Sequence, residues 1–464
     1  MTTVRHVPRE LLDKYATSAP RYTSYPTAVD WTDEFDPKDY PQLLASASRR
    51  DDPISVYVHL PFCEHMCLFC GCNVTITRRE DRVEAYLDAL EKEFETVARS
   101  GIGRRAVHQY HWGGGTPTHL TLTQIERVQT IFDRVFHFAP EAEVSIEVDP
   151  RVTTPEQIEL LASLGFNRIS MGQQDFDEKV QEHVHRVQPE EATRAIVQKS
   201  RDCGMASVNI DLMYGLPFQT QGSFESSVDT VIDMRPERVA LFHYAHVPWL
   251  KKHQTALDQD AMPSSDEKLT IFLRAIEQFE NAGYVYIGLD HFALPDDPLA
   301  VAQGQGVLHR NFMGYTTHRG SEMVSLGVSS IGEVDGAFIQ NELAEPDYKQ
   351  RIESDGFAAK RGHRLSPDDH LRRDVILSLM CNGVIDKAAI EGRHGISFDQ
   401  TFADALRALE PLAADDLIVC AEREVRLTPM GQMFMRNAAL IFDPYYAARQ
   451  ADGRDSSNTF SRTL

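Results

Sequence analysis

No apolar run in this chain approaches the roughly 20 residues that a membrane-crossing helix needs. The opening residues, MTTVRHVPRELLDKYA, alternate charged and apolar side chains and lack the apolar core of a secretory signal. Positive charge is also scarce. Lys and Arg number 47 against 69 Asp and Glu, a formal net charge of −22, which excludes non-specific attraction to nucleic acid. No internal repeat or low-complexity tract stands out. Cysteine is rare and oddly placed: seven in 464 residues, an odd count with no disulfide framework. A cytoplasmic protein with reduced thiols is therefore expected, with neither membrane nor nucleic acid as partner. It is expected to be a monomer. An anionic substrate would have to be held by a local basic patch.

Four of the cysteines crowd into CEHMCLFCGC: Cys63, Cys67, Cys70 and Cys72. Cys203, Cys381 and Cys420 stand alone. Thiolates are soft ligands, suited to zinc and to iron–sulfur clusters. Structural zinc sites use two separated ligand pairs, and no second pair is apparent. Ferredoxins draw on a more distant fourth cysteine. Cys-x3-Cys-x2-Cys differs from both patterns. Cys72 is either a fourth ligand or none, and its position so close to Cys70 makes sharing one cubane awkward.

The chain is long enough for an enzyme core and a smaller second domain. Residues 1–52 read as an irregular leader. Strand-like runs follow at 54–60, 107–112, 144–148, 168–172, 207–214, 239–244 and 285–289. Amphipathic helical patterns alternate with them, at 82–98, at 121–138 behind a capping Thr121, and near 156–164, 190–203, 223–234 and 266–282. This alternation predicts an α/β fold, a partial or complete (β/α) TIM-like barrel over 53–350. Residues 351–464 read as a small, mostly helical, winged-helix-like domain. Its helices fall near 367–380, 385–394 and 398–411, before a strand pair within 416–431. Its mixed charge favours packing over DNA readout.

In such barrels the chemistry sits at the C-terminal ends of strands. There lie the cysteines, GGGTP (113–117), Glu147 and Asp149, Gln173 to Asp175, DLMYGLP (211–217) and HYAHVP (243–248). Taken singly, the glycine run and YGLP read equally as turns, and Glu147 as a strand-end carboxylate.

With the cysteine spacing, these features resemble the radical S-adenosylmethionine enzymes. More finely, YATSAPRYTSYPTA (15–28), PFCEHMCLFCGCN, WGGGTPTHL, IEVDPR, SMGQQDF, NIDLMYGLP, DHFALPDD (290–297) and GVLHRNFMGYTT (306–317) resemble the bacterial oxygen-independent coproporphyrinogen III oxidases, over almost the whole chain. The resemblance implies that Cys63, Cys67 and Cys70 hold one 4Fe–4S cluster with an open iron. That iron chelates S-adenosyl-L-methionine, whose cleavage yields a 5′-deoxyadenosyl radical. It implies two S-adenosylmethionine molecules, the first lined by Tyr57, Phe69, Gly114, Glu147 and Ile331, the second by Gly115, Thr116, Gln174, Arg186, Asp211 and Ala245. It implies oxidative decarboxylation of two propionates of coproporphyrinogen III to vinyl groups, with an unidentified electron donor. Arg21, His309 and Arg310 are candidate anchors for substrate carboxylates, with Arg21 equally readable as one half of a surface salt bridge. Met313 departs from the family pattern, which usually has glutamine there. Other readings are a paralogous enzyme using two S-adenosylmethionine molecules, such as a methyltransferase, and a non-catalytic haem-binding relative.

Overall fold

The structure, a computed structural model, describes residues 7–31 and 35–452. Its centre is one 12-stranded sheet. In chain order the strands are β1 (Ile54–Leu60), β2 (Val107–Gly114), β3 (Phe138–Val148), β4 (Arg168–Gln174), β5 (Ser207–Tyr214), β6 (Arg238–His243), β7 (Val285–Gly288), β8 (His291–Ala293), β9 (Met323–Leu326), β10 (Ile331–Val334), β11 (Ala337–Asn341) and β12 (Ala359–Arg364). They lie side by side as β12-β11-β10-β9-β1-β2-β3-β4-β5-β6-β8-β7. From β9 to β6 every neighbouring pair is parallel. Both margins are antiparallel. The outermost strands do not pair with each other, so the barrel is partial.

Side-chain alternation explains why a polar lumen forms inside a stable wall. Val56, Val58 and Leu60 of β1, Tyr110 and Trp112 of β2, and Ile210 and Leu212 of β5 are buried in the main core. The residues between them (Tyr57 and His59, Gln109 and His111, Asn209 and Asp211) line interior cavities instead. Connecting helices are started by side-chain caps. Thr121 Oγ1 accepts from the Gln124 N–H and the Thr121 N–H donates to Gln124 Oε1 in return, which opens the helix Leu122–Asp133 as expected.

Some elements differ from expectation. That helix stops at Asp133 rather than running to 138, because Phe138 is already the first residue of β3 and stacks on Phe132. The leader is not wholly irregular: Arg9–Tyr15 and Tyr40–Ala47 are helical. The run at 285–289 turns back as the β7–β8 hairpin instead of adding a parallel strand. The sheet continues to Arg364, past residue 350. Beyond it come the helix Pro367–Asn382, the helix Lys387–His394 and a three-stranded sheet of Val384–Asp386, Ile418–Cys420 and Glu424–Leu427. The expected helix at 385–394 therefore begins two residues late, since Val384–Asp386 pairs as a strand. The expected helix at 398–411 is broken into Phe398–Thr401 and Ala403–Ala408, and Glu410–Ala414 follows.

The leader is tied to the C-terminal segment. The Tyr22 hydroxyl donates to Asp443 (2.8 Å), Asn437 donates to the Tyr15 carbonyl (2.9 Å), and Tyr25 meets Tyr445 edge-on. No described helix is long and apolar enough to cross a membrane.

Candidate functional site

The loop after β1 delivers the cysteines to the C-terminal mouth of the parallel sheet. Its backbone is held from several sides. The Leu68 N–H donates to the Val184 carbonyl (3.0 Å), and the Thr77 N–H to that of Cys63 (3.0 Å). The segment after β6 reaches back to it: Gln254 donates to the Phe69 carbonyl (3.1 Å), Lys251 to that of Cys72 (2.8 Å), and the His253 ring bonds that of Cys70 (2.8 Å).

Cys63, Cys67, Cys70 and Phe69 line a cavity of about 330 Å³. Gly114, Gly115 and Thr116 at the end of β2 share it, as do Glu147, Gln174, Arg186 and Asp211. Eleven expected residues thus meet around one space. Tyr57 and Ile331 line an adjoining chamber of about 400 Å³ that shares Gly114 and Glu147. A third chamber, of about 190 Å³, lies over Glu147, Asn209 and Asp211. Ala245 lies exposed beyond β6 and lines none of the three.

The donor set suits a cluster better than a single ion. Among the described residues no three His, Cys, Asp or Glu side chains converge closely enough to share one metal ion, as a zinc site requires. Two guanidiniums aim at Cys67: Arg151 Nη2 stands 3.5 Å and Arg186 Nη1 3.6 Å from its Sγ. Asp149 holds both, at 2.6 Å and 3.0 Å. Burial opposes ionisation of Asp149, but Arg186 and Arg151 outweigh it and keep the carboxyl below its usual value. Thr116 Oγ1 lies 3.4 Å from Cys63 Sγ. Cys72 bonds to Cys70, which lowers the Cys70 thiol and raises its own. Cys72 lines the same cavity and the adjoining chamber.

Three features of the cavity fit a bound organic cofactor. Gln174 has a left-handed backbone (φ 71°), and its buried Oε1 has no hydrogen-bond partner. Glu147 accepts from the Gly114 N–H (3.1 Å) and faces His111 (3.6 Å). Burial at the mouth of the sheet opposes its charge. His111, Gly114 and His59 outweigh that resistance and lower its pKa. Asp211 goes the other way: burial, with repulsion from Glu147, lifts it to about 7 despite a hydrogen bond from Asn209.

The wall itself requires glycine at two positions that also line the cavity. At Gly114, with φ +117°, a Cβ would fall 2.6 Å from the His59 ring; at Gly115, 2.6 Å from the Pro61 backbone.

The three expected substrate anchors lie elsewhere. Arg21 ion-pairs with Asp290 in a separate cavity of about 260 Å³ that Tyr214, His243 and Arg436 also line. Alternation puts Tyr214 and His243 on the opposite face from Met213 and Phe242. Burial, together with Arg436 and Arg310, lowers Arg21 to about 10. His309 is brought down to about 4 by burial and by Arg373, so it carries no charge near neutrality. Arg310 is buried with its guanidinium 4.9 Å from the centre of the Tyr315 ring, and its Nε and Nη1 lack partners. Met313, in contrast, reaches the chambers beside Glu147. Sequence reasoning missed Arg151, His111 and the 251–254 segment. An arginine two residues after a strand-end aspartate was the one signal available.

The family model of the radical SAM superfamily matches residues 57–231, and that of the HemN C-terminal domain matches 365–434. The oxygen-independent coproporphyrinogen III oxidase of Salmonella typhimurium is 44% identical over 435 residues, 94% of each chain. Its Synechocystis counterpart is 39% identical over 98% of this chain and 97% of its own. A solved structure described as the coproporphyrinogen III oxidase (HemN) from Escherichia coli, a radical SAM enzyme, superposes with a TM-score of 0.89 at 41% identity, over 95% of this chain and 100% of that one.

Proposed function

Because the chain belongs to the oxygen-independent coproporphyrinogen III oxidases of the radical SAM superfamily, we propose that it converts two propionates of coproporphyrinogen III to vinyl groups, giving protoporphyrinogen IX. Each propionate loses CO2, a hydrogen atom and one electron. The observation that carries this reading is the single cavity in which three thiols meet the Gly114–Thr116 turn, Glu147, Gln174, Arg186 and Asp211.

Cys63, Cys67 and Cys70 would hold a 4Fe–4S cluster, with Arg151 and Arg186 offsetting negative charge at sulfur. When reduced, that cluster supplies the electron that cleaves S-adenosylmethionine to a radical able to take hydrogen from an unactivated carbon. Glu147, held by the Gly114 N–H, suits ribose hydroxyls in the chamber that Tyr57 and Ile331 line. Gln174, Arg186 and Asp211 are proposed for the second S-adenosylmethionine, with Gly115 and Thr116. Met313 lines the chambers by Glu147, where the substrate would enter. The chain works as a cytoplasmic monomer supplied by a separate electron donor.

The test is anaerobic reconstitution with iron and sulfide, followed by coproporphyrinogen III, S-adenosylmethionine and a reductant. Loss of two CO2 per tetrapyrrole is the expected result. Full turnover in air without S-adenosylmethionine would remove the reading.

A further inference from the structure

An electron for the cysteine cavity must enter through the protein around it, and one surface there is built unlike the rest. The segment after β6 that bonds the carbonyls of Phe69, Cys70 and Cys72 carries Trp249 and Leu250 at its tip. These two apolar side chains are 53% and 69% exposed, Leu250 more than any other large apolar residue described. Lys251 and Lys252 follow directly. This segment, 245–256, holds two lysines and no acid, in a chain where acids outnumber bases 69 to 47. On the cysteine loop the charges cancel: Arg78 stands 3.9 Å from Glu64, and Arg79 pairs with Asp81 at 2.5 Å, which leaves Lys251 and Lys252 as the basic rim. An exposed aromatic-aliphatic pair beside a basic rim, on a strongly acidic molecule, is the composition of a protein-docking patch.

The geometry points to Trp249, Leu250 and Lys252 as the docking surface for an acidic one-electron carrier protein that reduces the cluster. This rests on the cluster proposed above. The carrier gives up one electron and becomes oxidised by one; the cluster takes it and no bond is broken. The overall charge of −22 would repel an acidic partner elsewhere, so the basic rim selects the face at which encounter succeeds. The hydrogen bonds from 251–254 place a carrier seated on this tip against the loop that bears Cys70.

The test compares wild type with W249A/L250A and K252E, using the hydroquinone of an acidic flavodoxin as carrier. Reduction of the reconstituted cluster is followed by its visible absorbance, and carrier binding by calorimetry on both cluster-loaded and cluster-free chain. Carrier-driven reduction and binding are expected to weaken at least tenfold in both variants. K252E should also flatten the salt dependence. Dithionite should reduce all three chains alike. Equal carrier rates and affinities for wild type and variants overturn the proposal. So does wild-type binding to anionic lipid vesicles, or concentration-dependent self-association through Trp249, in place of carrier binding. If dithionite finds no reducible cluster, it is the proposed function that fails, while the binding comparison still judges the patch.

Discussion

Around Cys67 two arginines held by one aspartate present N–H groups to sulfur, while Arg186 also binds the Gly172 carbonyl and Arg151 that of His185. Cys72 also lines the cysteine cavity but sits two residues from Cys70, too close to share one cubane with it easily. Replacing Cys63, Cys67 or Cys70 with serine should therefore abolish the cluster absorbance after anaerobic reconstitution, while Cys72→Ser keeps it. The reverse pattern, with Cys72 essential and one of the others dispensable, would show that the ligands are misassigned. Asp211 allows a pH test. Its folded pKa of about 7 lies above the ordinary 3.8, so the folded chain retains a proton that the unfolded chain releases. Stability from this group is thus lost as pH rises through that interval. Asp211→Asn should melt at a higher temperature than wild type at pH 8 and at the same temperature at pH 4, where the native carboxyl is already neutral. Equal melting at pH 8 would refute the assignment.

At the scale of elements, the alternation of strands with helices did most to make the site legible. Glu147 and Asp211 could be read at strand ends because the runs 144–148 and 207–214 are strand-like, and the structure puts Val148 and Leu212 beside them in the apolar core. Helices were legible where a cap announced them, as at Thr121. The antiparallel margins were not. β9 and β10 are four residues each, too short for a period, and only their pairing with β1 and β11 makes them strands. The end of β2 shows how tightly the parallel strands are joined. Gly114→Ala would meet the His59 ring and force a left-handed backbone on alanine, a cost of about 1–3 kcal/mol. A melting temperature lowered by several degrees is expected, with S-adenosylmethionine cleavage lost alongside it. The hairpin His309–Asn311 and Gly314–Thr316 carries Met313 at its turn, pinned by Asn311 accepting from the Met313 N–H (2.9 Å). Because Met313 faces the chambers by Glu147, Met313→Gln should leave the rate of vinyl formation equal or raise it. A fall of tenfold or more would mean that methionine serves the substrate in a way an amide does not.

For the molecule as a whole, the leader is the part that sequence described least well. Its repeating pattern is absent, and its place is decided by contacts with residues some 400 positions away, such as Tyr22 with Asp443 and Asn437 with Tyr15. That is why Arg21 read equally as an anchor or a salt bridge, and why the structure finds it paired with Asp290 beside Arg436. Deleting residues 1–28 should leave the cysteine loop able to take up iron, since no contact described for that loop involves the leader. It should lower the melting temperature and stop porphyrinogen conversion by loosening the C-terminal helices. Unchanged conversion would separate the leader from turnover. The most direct test of the central claim uses coproporphyrinogen III deuterated at the propionate β-carbons, given anaerobically to the reconstituted chain with S-adenosylmethionine and reductant. The account predicts vinyl product with deuterium in the 5′-deoxyadenosine. S-adenosylmethionine cleavage with no vinyl product, or vinyl product with no deuterium in the nucleoside, would contradict it.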